Sequence, residues 1–93
     1  MSFNNLSDGQ AERLAWLLEE LGEAQQAVGK ILRHGYHSYD PTNPAHLGNK
    51  ADLERELKDV IKAINYMSQK FDINHIILDS YDMPIMMKYS HHQ

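Results

Sequence analysis

Two pairs of acidic residues, each spaced three apart, are the feature of this sequence best suited to chemistry. Glu20 and Glu23 form one pair, and Glu56 and Asp59 form the other. Residues three apart share one face of an α-helix, so each pair can direct two carboxylates toward one point. Carboxylates that meet in a partly dry groove repel one another unless a cation neutralises them, and oxygen-only ligation suits Mg²⁺. The pattern predicts a divalent-metal site if the two pairs converge.

The apolar residues predict two long amphipathic helices that carry these pairs: helix A over about residues 9–33 and helix B over about 50–70. The stripe of helix A comprises Leu14, Leu17, Leu18, Leu21, Val28 and Leu32. The stripe of helix B comprises Leu53, Leu57, Val60, Ile61, Ile64, Met67 and Phe71. On helix A the acidic pair lies away from the centre of the leucine stripe, beside a second band made of Ala24, Ala27 and Ile31. Antiparallel packing of the two helices would bring the four carboxylates together.

Capping residues predict where these helices begin and end. Ser7 or Asp8 can cap helix A through a side-chain oxygen, and Gly35 can end it in a left-handed conformation. Asn49 has the position of an N-cap for helix B, with Asp52 three residues later.

The rest of the chain predicts a loop, a short helix and a tail within a single domain of residues 1–93. Residues 36–48 contain two prolines and no periodicity, which indicates a loop. A short helix C is predicted over 73–82, before Pro84, and residues 85–93 form an ambiguous tail.

Charged helix faces are usually only solvated, and a single Glu-x-x-Glu pattern therefore indicates little. Two acidic pairs beside small residues, on two long helices separated by a loop that contains Pro and Gly, form a more specific combination. That combination favours a metal site.

The acidic motifs resemble the signature of the MazG-like, all-α nucleotide pyrophosphatase superfamily, in which Glu-Glu-x-x-Glu on one helix is followed by Glu-x-x-Asp on the next. Here they read Glu19-Glu20-Leu21-Gly22-Glu23 and Glu56-Leu57-Lys58-Asp59. The resemblance covers about residues 14–67, and the phrases LLEELGEAQQAVGKILRHG and NKADLERELKDVIKAI look like small phage or bacterial members. The segment between the motifs is longer than is usual in the family, and the C-terminal region is short.

This resemblance implies a Mg²⁺-dependent hydrolase, with Mn²⁺ as a substitute, that converts (deoxy)nucleoside triphosphates to monophosphates and pyrophosphate. The implied metal ligands are Glu20, Glu23, Glu56 and Asp59. The implied catalytic residues are Glu19, as support or general base, and Glu20. The expected fold is all-α: a helical hairpin plus a short third helix, which forms a four-helix-bundle core in a homodimer or homotetramer.

Weaker candidates for substrate contact are Trp16, Lys30, Arg33, Asn65 and Lys88. The Trp16 ring can stack on a nucleobase, but it can also pack at a helix or subunit interface. Lys30 and Arg33 can bind phosphate, although cations near a helix C-terminus also complement the helix dipole.

The bulk composition limits the classes of partner. A chain of 93 residues without cysteine is expected to gain stability from subunit contacts. The net charge of −4 and the scattered Lys and Arg argue against a nucleic-acid polymer as ligand. Residues 1–10 lack the features of a signal peptide, and no apolar run approaches the roughly 20 residues that span a bilayer, so we expect a soluble, cytoplasmic protein.

Two alternatives stay open at this point. The chain can be a non-catalytic helical module for regulation or assembly that keeps a vestigial acidic site. Within the enzyme class, it can be a dedicated dUTP or dCTP hydrolase, because base specificity depends on a pocket shape that the sequence does not reveal.

Overall fold

The computed structural model describes residues 4–44 and 46–74, which form two α-helices joined by a loop. Helix α1 spans Asp8–His34 and helix α2 spans Asn49–Gln69. No strand occurs within the described ranges, so the prediction of an all-helical fold is confirmed for this part of the chain. Within the same ranges, neither helix is apolar enough over a sufficient length to cross a membrane.

The C-terminal predictions fall mostly outside the described ranges. Ile73 and Asn74, the first two residues of predicted helix C, are not helical. The remainder of helix C and the tail over 85–93 lie outside the described residues.

Helix α1 begins with a capping box, which satisfies two of the backbone N–H groups at its start. The Ser7 hydroxyl accepts from the Gln10 N–H at 3.1 Å, and the Gln10 side chain accepts from the Ser7 N–H at 2.8 Å. At the other end, the Gly35 N–H donates to the Ile31 carbonyl at 2.7 Å. Gly35 has φ 87° and ψ 168°, so its ψ differs from the left-handed helical cap that we expected. The positive φ still explains why a glycine occupies position 35, because residues with a Cβ rarely adopt such a φ.

Helix α2 begins without a side-chain cap, and the predicted N-cap role of Asn49 is wrong. Gly48 is the N-cap residue, with φ 106°. The Asn49 side chain instead donates to the Gly35 carbonyl at 3.1 Å. The backbone N–H of Asn49 donates to the Ser38 carbonyl at 3.0 Å, and the next N–H donates to the Tyr36 carbonyl at 2.8 Å. Loop carbonyls therefore replace the side-chain cap and tie the loop to the start of α2.

The two helices pack antiparallel, because side chains from the start of α1 contact the end of α2. Arg13 pairs with Asp72, and the Trp16 ring packs edge-on against the Tyr66 ring with centroids 5.8 Å apart. The buried apolar residues of the seam are Ala24, Ala27, Val60, Ala63 and Met67. Small side chains on both helices allow the backbones to approach closely.

The leucine stripe of α1 lies mostly outside this seam. Leu18 is 72% exposed and Leu32 is 82% exposed. The other exposed members of the two predicted stripes are Leu14, Leu21, Val28, Leu57, Ile61 and Phe71. The periodicity thus predicted the helices, but α1 packs on α2 through its band of small residues.

Arg13 and Asp72 join the ends of the hairpin opposite the loop. The guanidinium donates from Nε and Nη2 to the two carboxylate oxygens, and the Nη2 to Oδ1 distance is 3.0 Å. This hydrogen bond lowers the pKa of Asp72 below its ordinary value of 3.8. A carboxyl group whose pKa is lower in the folded state contributes stability above its unfolded pKa and loses it as the pH falls through the folded pKa.

We expect Asp72→Asn to lower the melting temperature at pH 7. Arg13→Lys should lower it less, because an ammonium group keeps the charge but cannot form both bonds of the planar fork. The difference between wild type and Asp72→Asn should shrink as the pH falls below 3.8. Thermal melts followed by circular dichroism measure this, and a difference independent of pH would contradict the account.

Candidate metal centre

Three carboxylates from the two helices meet at the seam. Glu20 comes from α1, and Glu56 and Asp59 come from successive turns of α2. One oxygen of each lies within 4.8 Å of the others, and all three residues are half-buried. The antiparallel hairpin thus brings members of the two predicted acidic pairs together, and this triad can hold a metal ion.

Two oxygens of this cluster are buried and lack a hydrogen-bond partner among the described residues. They are Oε2 of Glu20 and Oε2 of Glu56. A buried carboxylate oxygen without a partner loses its hydration and gains nothing in return. A divalent cation would supply the missing interaction, because hard cations of this kind prefer oxygen ligands. The residues present therefore fit a divalent cation.

Trp16 fixes the position of one of these carboxylates. Its indole N–H donates to Oε1 of Glu20 at 3.2 Å, while its ring packs against Tyr66. Oε2 of Glu20 is then the oxygen that has no partner. Groups that hold a metal ligand in this way orient it and restrict its motion. The structure thus places Trp16 at the α1/α2 interface, one of the two positions that the sequence left open.

Glu23 lies next to the triad and faces Glu56. The pKa of Glu23 is raised, mainly by the adjacent Glu56 carboxyl group and then by the charge of Glu20. The carboxylates of Glu23 and Glu56 repel each other when both are ionised. Until a proton or a cation compensates, this repulsion works against the close approach of α1 and α2.

The remaining candidate residues lie outside the triad. Glu19 is exposed on α1, although its charge contributes to the raised pKa of Glu23. Asn65 is exposed on α2. Lys88 lies outside the described residues.

A cavity of about 270 Å³ opens beside the cluster, on the side of the loop. Its lining residues are Glu23, Gln26, Ala27, Lys30, Asn49, Asp52, Arg55 and Glu56. Lys30 also lines a neighbouring cavity of about 410 Å³, together with Arg33. Lys30 thus lies nearer to the carboxylates than Arg33, because only Lys30 lines the cavity beside them.

A chain of contacts that the sequence did not reveal connects the loop to this cavity. The Asp40 N–H donates to Nδ1 of His46 at 2.8 Å, so the ring proton belongs on Nε2, which lies 2.7 Å from Oδ2 of Asp52. Nη2 of Arg55 lies 3.5 Å from the other Asp52 oxygen and 3.4 Å from Oε1 of Glu56. The sequence did not indicate these contacts, because His46 lies in an aperiodic loop and Asp52 resembled part of a helix cap.

Comparisons of the chain with protein-family models, with curated proteins and with solved structures find no match. The resemblance of the two acidic motifs therefore stands without a matched relative.

We expect Glu23→Gln to raise the melting temperature of the metal-free protein at pH 7, because an amide removes one negative charge and can donate to Glu56. Saturating Mg²⁺ should then stabilise the variant less than it stabilises wild type. Glu54→Gln is the matched control, because Glu54 is exposed on α2, and its melting temperature should stay close to that of wild type.

Differential scanning fluorimetry with a chelator and with Mg²⁺ measures both effects. If Glu23→Gln melts at a lower temperature than wild type in chelator while Glu54→Gln does not, the idea that repulsion between the carboxylates destabilises the metal-free fold is wrong.

Proposed function

We propose that this chain is a Mg²⁺-dependent nucleoside triphosphate pyrophosphohydrolase of the MazG-like kind, for which Mn²⁺ can replace Mg²⁺. The observation that supports this most strongly is the half-buried triad, in which Glu20 and Glu56 each present a buried oxygen without a partner. The resemblance of the two acidic motifs supplies the reaction class.

In this proposal Glu20, Glu56 and Asp59 hold the cation, and Glu23 joins or supports them. The bound ion supplies neutralisation of the phosphate charge and a lower pKa for the attacking water. Trp16 keeps Glu20 in place through its indole N–H, so the carboxylate does not have to reorganise when substrate binds.

Glu19 is the proposed general base or its support, because it is exposed, its charge acts on Glu23, and it can receive a proton from water. Water attacks the phosphorus next to the sugar, the bond from that phosphorus to the bridging oxygen breaks, and pyrophosphate leaves. Phosphoryl-type transfer depends on placement and charge neutralisation, so this scheme needs no serine or threonine nucleophile.

The proposed enzyme is a homodimer or homotetramer in which the leucine stripe of α1 packs against a second copy. Several large apolar side chains at helical spacing are exposed on α1, from Leu14 to Leu32, and Leu57 and Ile61 are exposed on α2. Exposed apolar side chains at helical spacing are typical of helices that form a bundle between subunits. A four-helix core would bury them.

We expect Leu18→Glu to shift the protein to a smaller species, because a buried, unpaired carboxylate in the subunit interface is costly. Leu47→Glu is the matched control, because Leu47 is 80% exposed but lies in the loop. Size-exclusion chromatography with light scattering gives the mass of each. A wild-type protein that is monomeric at all accessible concentrations would contradict the oligomer.

For the activity, we expect purified protein with Mg²⁺ to release pyrophosphate from at least one member of a panel of (d)NTPs, and a chelator to stop the release. Glu56→Gln and Asp59→Asn should each lower kcat by about 100-fold or more, since even residues that only support metal ligands cost about 10–100-fold. Glu54→Gln should keep the wild-type rate.

The rival function is the non-catalytic helical module, which the exposed apolar face of α1 would also suit. A folded, oligomeric protein that releases pyrophosphate from no substrate in the panel would overturn the enzymatic proposal and favour the module. The same panel separates a broad enzyme from one dedicated to dUTP or dCTP.

A further inference from the structure

We infer that the cavity beside the carboxylate cluster is a subsite for the terminal phosphates of the substrate, held by Lys30 and Arg55. This inference rests on the proposed function for the identity of the ligand, a nucleoside triphosphate. The group bound in the subsite is the one that leaves as pyrophosphate. The position of the subsite fixes the direction of the phosphate chain, which runs from the carboxylate cluster toward the loop end of the hairpin.

The cavity adjoins the carboxylate cluster. Its lining includes Glu56 of the triad and the neighbouring Glu23, so it is continuous with the cluster. Lys30 belongs to its α1 wall and Arg55 to its α2 wall. A phosphate chain that starts at the cluster and extends into this cavity therefore meets one cation from each helix.

Helix geometry directs the side chains of Lys30 and Arg55 toward each other. Side chains on an α-helix lean toward the N-terminus of their own helix. Lys30 therefore leans back along α1 toward Glu23. Arg55 leans along α2 toward Asp52, which agrees with its contact to Asp52 at 3.5 Å. Because α1 and α2 are antiparallel, the two cations converge on the middle of the cavity.

Neither cation is held in a strong ion pair by the described residues. Lys30 is exposed and forms no ion pair with another described residue. The Arg55 side chain is 62% exposed, and its contacts of 3.5 Å to Asp52 and 3.4 Å to Glu56 lie at the outer limit of hydrogen bonding. A guanidinium has five N–H donors, so Arg55 keeps capacity for a phosphate while Asp52 positions it.

The first two backbone N–H groups at the start of α2, which also borders the cavity, are not available to an anion. They already donate to the carbonyls of Ser38 and Tyr36. The side-chain N–H of Asn49 donates to the Gly35 carbonyl. The cationic side chains are therefore the groups in this cavity best able to bind phosphate.

The test measures binding of Mg²⁺-pyrophosphate to the full chain by isothermal titration calorimetry, and binding of a nucleoside monophosphate with Mg²⁺ in parallel. Lys30→Met and Arg55→Met should each weaken pyrophosphate binding by about tenfold or more, as expected for the loss of a charge-assisted hydrogen bond. Monophosphate binding should change less than about twofold. Lys58→Met is the control, because Lys58 is an exposed cation of α2 that does not line this cavity, and this variant should bind both ligands like wild type.

The outcomes test the phosphate subsite independently of the hydrolytic activity. Wild-type affinity for pyrophosphate in both variants, equal losses for both ligands, or no pyrophosphate binding by wild type would overturn the subsite, even if the protein hydrolyses triphosphates. Selective weakening in both variants of a protein that hydrolyses none would support the subsite and refute the proposed function. Circular dichroism melts of both variants confirm that any loss is not caused by unfolding.

Discussion

The close approach of like charges at one seam is the constraint on which this structure depends. Glu20, Glu56 and Asp59 direct oxygens to within 4.8 Å of one another, and Glu23 adds a fourth carboxyl group beside them. In water such charges would separate, but here they are fixed to two packed helices. Their repulsion has to be offset by a proton, by a cation or by the rest of the fold.

The small residues of the seam make this approach feasible, and they determine how the apolar surface is divided. Ala24 and Ala27 on α1 and Ala63 on α2 are buried in the seam, whereas the large side chains of the α1 stripe are exposed. The hairpin uses its narrow, small-residue face for the carboxylates. Its wider leucine face stays available for another contact. The acidic pair and the leucines of α1 thus lie on different sides of one amphipathic helix.

The sequence predicted part of this arrangement because helical periodicity is a local property. It gave α1 and α2 with ends one residue from those observed, and it placed the acidic pairs so that antiparallel packing would bring them together. It did not reveal which side of α1 packs on α2, since periodicity defines a face but not the partner of that face. The contacts of Asn49 and His46 were also not predictable, because each joins the loop to residues that only the folded backbone brings near.

The hairpin is held together on both sides of the carboxylate cluster, and this explains why repulsion does not push the helices apart. Toward the chain ends, Arg13 pairs with Asp72, and the neighbouring Trp16 packs on α2. Toward the loop, the first backbone N–H groups of α2 and the Asn49 side chain donate to carbonyls that follow α1. The cluster lies between these two sets of contacts, so relieving the repulsion would require one set to break. A cation would then bind to carboxylates that are already assembled, and little of its binding free energy would be spent on reorganising the protein.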